Sequence, residues 1–299
     1  MPAEAAGVIH DLGYRRYEGP RLGRAQIVRA LVWHSFRTAF GLGRSAKAKV
    51  VPVIVLFAMC LPAAVNAFAV ARGNARLVPY DTYVPVLRAT VMTIFVAVQA
   101  PELMSRDLRS HVLPLYFARP LRKTDYPLAK YLAFTAACLV VIEIPLVLLY
   151  LGTIASVHGG SAVWGETRAL IPGLLVGLMW ALVMAAASLL LASLSGRRGY
   201  ATGSVAIFFF LTYTLATLLI NVERNGAAPG MAASTAVKVA GLLSPFTLLD
   251  GVRRWLGGTT LDQVPRPGSF GILYLLVLLA LFAACLGGLA ARFRKAGLS

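Results

Sequence analysis

Charged residues are scarce in this chain. Only 14% of its 299 residues are charged, against about 25% in a soluble domain, and its mean hydropathy is +0.73. Acidic residues are the scarcest, because 12 Asp and Glu stand against 29 Lys and Arg, a net charge of +17. The basic residues lie in short stretches between apolar runs. This distribution argues against nucleic acid as a partner and is typical of a polytopic membrane protein in contact with lipid.

The chain also lacks the motifs of most enzymes. No Gly-Lys dipeptide occurs, so it has no phosphate-binding P-loop. There is no Gly-x-Ser-x-Gly elbow and no zinc-type His/Cys cluster. Cys60, Cys138 and Cys285 all lie within apolar runs, which favours buried thiols over a disulfide or a metal site. We therefore expect a protein that is not an enzyme and binds no cofactor or metal itself.

Long apolar runs are abundant. A bilayer core of about 30 Å requires about 20 apolar residues in a helix. Six runs meet this requirement, at 50–71, 83–104, 128–152, 169–193, 201–222 and 269–291. The second run is the weakest because it contains Arg88 and Gln99. The sequence predicts an all-α integral membrane protein with six transmembrane helices in residues 50–299.

The charge distribution predicts the orientation of these spans. With a cytoplasmic N-terminus, the inner segments are 1–49, 102–130, 194–200 and 292–299, and they hold 20 Lys or Arg and 6 acids. The rest of the chain holds 9 basic and 6 acidic residues. Basic residues concentrate on the cytoplasmic side of membrane proteins. Both termini are therefore predicted to be cytoplasmic in a plasma or inner membrane, and the high Ala, Gly, Arg and Val content favours a bacterial source.

Residues 1–49 form a basic N-terminal arm without an early apolar run, so no signal peptide is expected. Within it, residues 22–44 alternate apolar and arginine positions at helical spacing, which predicts an amphipathic helix lying in the membrane interface. This helix either anchors the chain or forms an elbow that packs on the first span and borders a cytoplasmic partner.

Residues 102–130, here called the charged segment, separate the second and third runs. Charges of both signs alternate with apolar residues, so ion pairs between them would pin the ends of two spans. The apolar positions, among them Leu113 and Tyr116, would give a short helix an apolar face that can be buried in a partner's groove. Two interpretations stay open: a docking surface, or a charged turn that only satisfies helix ends.

Three patterns in the charged segment resemble those of type-2 ABC exporter permeases. They are Glu-x-x-x-Arg-Asp-x-Arg from Glu102, Leu-Pro-Leu-x-x-x-Arg-Pro-Leu from Leu113, and Asp-Tyr-x-x-x-Lys from Asp125. The stretch 235–258, with Leu-Ser-Pro-Phe and Asp-Gly-Val-Arg-Arg, resembles the family's outer segment of short re-entrant helices. The alternative for that stretch is an ordinary amphipathic surface helix.

The resemblance implies a function and a set of partners. It implies a permease subunit that pairs with an identical or related permease and with a separate cytoplasmic ATPase, which binds ATP and Mg. Residues 105–126 would be the coupling segment that seats in the ATPase. The ATPase-coupling residues expected here are Glu102, Arg106, Asp107, Arg109, Leu113, Tyr116, Arg119, Pro120, Asp125 and Lys130.

Two charged residues lie inside predicted spans, Glu143 in the third and Arg88 in the second. An intramembrane carboxylate is costly and faces protein or water. It is either a pathway group that contacts substrate or carries a proton, or a structural group, neutral or paired with Arg88. The first option supports an alternative function, a stand-alone secondary transporter or channel that uses Glu143. Because polar groups are few in the spans, an amphipathic or lipid-like substrate is favoured over an ion.

Overall fold

The structure, a computed structural model, describes residues 19, 23–73, 77–110, 112–118, 121–157, 159–226, 234–258 and 267–296. Only the backbone is described at 84–89, 113, 117, 224–226 and 295–296. These described parts are helices joined by short turns, and they contain no strand. The predicted all-α fold class is confirmed for them.

The helices are numbered in chain order. Before the charged segment they are α1 (Arg24–Ala39), α2 (Ala46–Ala71), α3 (Tyr80–Leu87), a π-helical stretch (Arg88–Met92) and α4 (Thr93–Leu103). After α4 come α5 (Ser105–Arg109), α6 (Leu113–Phe117), α7 (Asp125–Ile154), α8 (Gly160–Ser193), α9 (Arg198–Gly226), α10 (Thr235–Ala240), α11 (Pro245–Trp255) and α12 (Gly271–Ala296).

Five described helices are long and apolar enough to cross a membrane. They are Ala46–Ala71, Asp125–Ile154, Gly160–Ser193, Arg198–Glu223 and Gly268–Arg294. These five apolar helices indicate a multi-pass membrane protein.

The predicted second span is not one regular helix. In its place α3, the π-helical stretch and α4 follow one another without a break from Tyr80 to Leu103. Pro85 has no N–H to donate, so the regular hydrogen-bond ladder is interrupted shortly before the π-helical stretch at 88–92. Each of the three pieces is too short to qualify as a span by itself.

The centre of the bundle is built from α4, α7 and α8. In the most apolar 18-residue stretches of α7 and α8, 56% and 61% of the residues are buried. In those of α2, α9 and α12 the share is 22%. In α4 nine of eleven residues are buried, including the ring of Phe95, which stacks on Phe134 of α7. The three peripheral helices expose rows of large apolar side chains, which suits a surface that faces lipid or another apolar helix.

Helix α1 is amphipathic, as its spacing predicts, and begins at Arg24 rather than at residue 22. It packs on α7 and α4, and Leu31 and Ala39 are buried there. The chain then reverses into α2 at Gly41, whose φ of +67° favours glycine. A Cβ at this position would lie 2.5 Å from the carbonyl oxygen of Ala48, so only glycine fits.

Helix α11 is enclosed by the bundle, although its sequence also permits an amphipathic surface helix. Every residue from Pro245 to Arg254 is buried. The ring of Phe246 lies 5.3–5.5 Å from the rings of Trp180 in α8 and of Phe209 and Tyr213 in α9. Burial of the charged face is possible because Arg253 donates to Asp81 of α3 at 2.9 Å.

Candidate functional site

The charged segment contains two short helices, α5 and α6, between the end of α4 and the start of α7. Three of its acidic residues are largely buried, and each is held by a basic residue from another element. Buried carboxylates need such partners, because desolvating an unpaired charge is costly. These three pairs determine how the segment is attached to the bundle.

The first pair fixes the end of α4. Glu102 is 6% exposed and lies between two arginines. Its Oε2 is 2.6 Å from Nη1 of Arg44, in the turn before α2, and its Oε1 is 2.7 Å from Nη1 of Arg198, the first residue of α9. One carboxylate therefore joins the ends of three elements.

The second pair connects α5 to α7. Asp107 Oδ2 lies 2.8 Å from Nζ of Lys130 and also accepts a hydrogen bond from the Tyr126 hydroxyl at 2.8 Å. Lys130 is only 4% exposed, and its ammonium lies 5.4 Å from the centre of the Tyr126 ring. Neighbouring Ser105 donates to the carbonyl of Ala192 in α8 at 2.9 Å. Helix α5 is therefore attached to α7 and α8.

The third pair connects the start of α7 to α1. Asp125 accepts two hydrogen bonds from Arg24, at 2.6 Å from Nε and 2.5 Å from Nη2, and one from the backbone N–H of Arg122 at 2.9 Å. This paired geometry is the strong form of an arginine–carboxylate contact. The hydrogen bond to Asp125 raises the pKa of the Arg24 guanidinium above its ordinary value.

Aromatic contacts attach α6. The ring of Tyr116 lies 5.4 Å from that of Tyr126 in α7, and Tyr126 lies 5.1 Å from Phe293 in α12. The adjacent residue points the other way, because Leu115 is 70% exposed. Helix α6 thus packs on the protein through Tyr116, whereas Pro114 and Leu115 are exposed.

The expected coupling residues divide into two groups. Glu102, Asp107, Asp125 and Lys130 are internal, and Tyr116 is partly buried against α7. Arg106 and Arg109 are exposed. The remaining expectations, Arg119, Pro120 and the side chain of Leu113, lie outside the described residues.

Two adjoining clefts open beside α5. The larger, of about 970 Å³, is lined by Leu108, Arg109 and residues 196–200, which run from the α8–α9 turn into the start of α9. The smaller, of about 300 Å³, extends past Arg106 toward Glu102. Both include Arg109 and Arg198, so an exposed, strongly basic surface borders the charged segment.

No protein-family model matches this chain, and no curated protein matches it either. Among the residues that the structure describes, no group of three His, Cys, Asp or Glu side chains is placed to hold a metal ion.

Inside the membrane helices, Glu143 of α7 lies against α8. A Cβ at Gly177 would approach Glu143 Oε1 to 2.4 Å, so the glycine makes room for the carboxyl group. Glu143 Oε2 is buried and has no hydrogen-bond partner among the described atoms. The side chain of Arg88 lies outside the described residues, so its pairing with Glu143 stays a prediction.

The sequence did not reveal the partners from outside the charged segment. Its mixed charges suggested pairing among themselves, yet Arg24, Arg44 and Arg198 come from α1, the α1–α2 turn and α9. The available signal was the excess of arginines at 15–44 and 197–198, which have few acidic residues nearby in sequence. Nothing local indicated which acid each would meet.

Proposed function

We propose that this chain is the membrane-spanning permease subunit of an ATP-driven exporter of the type-2 ABC class. The observation that carries the proposal is the attachment of the charged segment. Its short helices are fixed to the bundle by ion pairs and ring contacts, while Arg106, Arg109 and Leu115 face outward. A surface that is exposed on one side and tied to span ends on the other can transmit a partner's movement.

The route of that movement follows from the pairs. A displacement of α6 would be transmitted to α7 and α12 through the ring contacts of Tyr116, Tyr126 and Phe293. A displacement of α5 would be transmitted to α7 through the ion pair of Asp107 with Lys130. Because α7 is central in the bundle, both displacements would change how the spans pack and would open a route for substrate.

The energy for transport would come from another chain. Without a Gly-Lys pair, this chain has no P-loop for ATP, so ATP and Mg would be bound by a cytoplasmic ATPase subunit. The chain itself would not be an enzyme. A second permease, identical or related, would complete the route, and the apolar helices favour an amphipathic or lipid-like substrate.

The proposed topology has six crossings with both termini in the cytoplasm of a bacterial cell, and α1 lying in the inner interface. The crossing that completes the six is the continuous helical stretch from Tyr80 to Leu103, which is the second along the chain. Its 24 positions at 1.5 Å each span about 36 Å, which exceeds the bilayer core of about 30 Å. An even number of crossings returns Arg292 and Arg294 to the side of α1.

Glu143 supports one rival function. A partly buried carboxyl group whose Oε2 lacks a hydrogen-bond partner among the described atoms is suited to carrying a proton or contacting a cation. The rival is a stand-alone secondary transporter or channel. It requires Glu143 for activity and no ATPase.

Transport in liposomes separates the two functions. The chain would be purified in mild detergent and reconstituted into liposomes. One sample would contain the chain alone, and the other would contain the ATP-hydrolysing subunit that co-purifies with it at equal stoichiometry. We expect ATP-dependent transport by the complex, no gradient-driven transport by the chain alone, and retained transport in Glu143→Gln. Gradient-driven transport by the lone chain that is lost in Glu143→Gln would establish the rival.

A further inference from the structure

We propose that the arginine cleft, lined by Leu108, Arg109 and residues 196–200, binds the headgroup of an anionic phospholipid. The cleft lies between α5 and the turn that joins α8 to α9. Its volume of about 970 Å³ leaves room for a phosphodiester headgroup. This proposal rests on the membrane character of the chain and does not require ATP coupling.

The charge of the cleft is unbalanced. Five arginines line it and the smaller adjoining cleft: Arg44, Arg106, Arg109, Arg197 and Arg198. Glu102 is the acid between them, and it is already shared by Arg44 and Arg198. The nearest carboxylate on α5, that of Asp107, is taken by Lys130.

Three of the five arginines have no carboxylate partner within the described part of the chain. These are Arg106, Arg109 and Arg197, and all three are exposed. Guanidinium groups in one region repel each other unless an anion lies between them. Arginine binds phosphate oxygens with two parallel hydrogen bonds, so a phosphate group is the anion that such a cluster fits best.

The position of the cleft favours a lipid over an acidic peptide. The turn joins the ends of two candidate membrane spans, so it lies where apolar helices meet headgroups. Leu194 on this turn is 57% exposed and Tyr200 in the first turn of α9 is 67% exposed, with the Arg197 guanidinium 5.9 Å from the centre of the Tyr200 ring. Basic residues beside an exposed aromatic and an exposed leucine are typical of a lipid headgroup contact.

The experiment compares bound lipids by native mass spectrometry of the full chain in mild detergent. Soluble short-chain phosphatidylglycerol and phosphatidylcholine serve as probes, and inorganic phosphate is the competitor. The test variant is Arg109→Gln with Arg197→Gln. The control is Arg72→Gln with Arg168→Gln, which removes two exposed arginines at the end of the bundle opposite the cleft.

We expect the wild-type chain to prefer phosphatidylglycerol and the test variant to lose about fivefold in affinity for each arginine removed, which corresponds to ~1 kcal/mol. The control at the opposite end should keep the preference, and the variant Arg109→Lys with Arg197→Lys should keep only part of it, because lysine retains the charge but not the paired hydrogen bonds. No preference in the wild type, or an equal loss in the control, would overturn the site. Displacement of the lipid by inorganic phosphate alone would show a free-phosphate site and overturn the lipid assignment.

Discussion

Asp107 and Lys130 show how little freedom the charged segment has. The lysine is nearly inaccessible, and its ammonium is held by this one carboxylate and the adjacent Tyr126 ring. Its burial is tolerable only while the carboxylate is present, because the pair offsets the desolvation of both charges. Asp107 is therefore a structural residue of the segment, whereas Arg109 on the same short helix is exposed.

Asp107→Ala should destabilise the protein by about 3–5 kcal/mol, because it leaves a buried charge unpaired. The measurement is the unfolding midpoint in detergent. Arg109→Ala is the matched control and should change the free energy of unfolding by no more than about 0.5 kcal/mol. Adding Lys130→Met to Asp107→Ala should recover part of the loss. An unchanged midpoint in Asp107→Ala would contradict the buried pair.

Gly177 provides a second test at this scale. Gly177→Ala places a methyl group 2.4 Å from Glu143 Oε1 and 2.8 Å from Ile142 Cγ2, so we expect a loss of about 1–3 kcal/mol. Gly165→Ala in the same helix meets nothing within 4 Å and should be neutral or stabilising. Combining Gly177→Ala with Glu143→Ala should cost less than the sum of the single changes. Strict additivity would show that the two residues do not touch.

At the scale of elements, α6 has two faces with separate roles. Tyr116 holds the helix on α7, whereas its neighbour Leu115 is 70% exposed. Tyr116→Ala should lower stability by about 0.5–1.5 kcal/mol through the lost ring pair, and Leu115→Ala should stay within about 0.5 kcal/mol. Equal losses in the unfolding midpoint would mean that α6 is not divided in this way.

Local patterns predicted some elements well. The amphipathic spacing in 22–44 indicated α1, and the apolar runs at 128–152 and 169–193 indicated α7 and α8. Both long helices extend beyond their runs, α8 by nine residues at its start, because helical structure continues where the sequence turns polar. Apolar length alone does not show where a helix ends.

Long-range pairing could not be predicted in the same way. The charges of α11 permitted a surface helix, but Asp81, 172 positions away, allows Arg253 to be buried. Arg24 likewise meets Asp125 over a separation of 101 residues. Such partners depend on how helices assemble, which no local period encodes.

At the scale of the whole molecule, the proposed topology puts the two ends of the bundle on opposite sides of the membrane. Leu77 precedes α3 and Ser161 is the second residue of α8, so both belong to the outer end. Leu42 and Ser110 belong to the end that carries the charged segment, where the basic residues are concentrated. All four are exposed.

Single cysteines at these positions, in a chain with Cys60, Cys138 and Cys285 replaced, test the topology. A membrane-impermeant thiol reagent added to intact cells should label Leu77→Cys and Ser161→Cys, and should label Leu42→Cys and Ser110→Cys only after the cells are opened. Labelling of Leu77→Cys and Ser110→Cys from the same side would show that the run from Tyr80 to Leu103 does not cross.

We propose that ATP-derived work enters the protein through the charged segment. The most direct measurement places a photo-cross-linking residue at Leu115 in the intact membrane and identifies what it captures. We expect a cross-link to a separate subunit that hydrolyses ATP, and none from the same photo-cross-linking residue at Leu77, which is also an exposed leucine but lies at the opposite end. Absence of that cross-link in membranes that transport substrate would contradict this proposal.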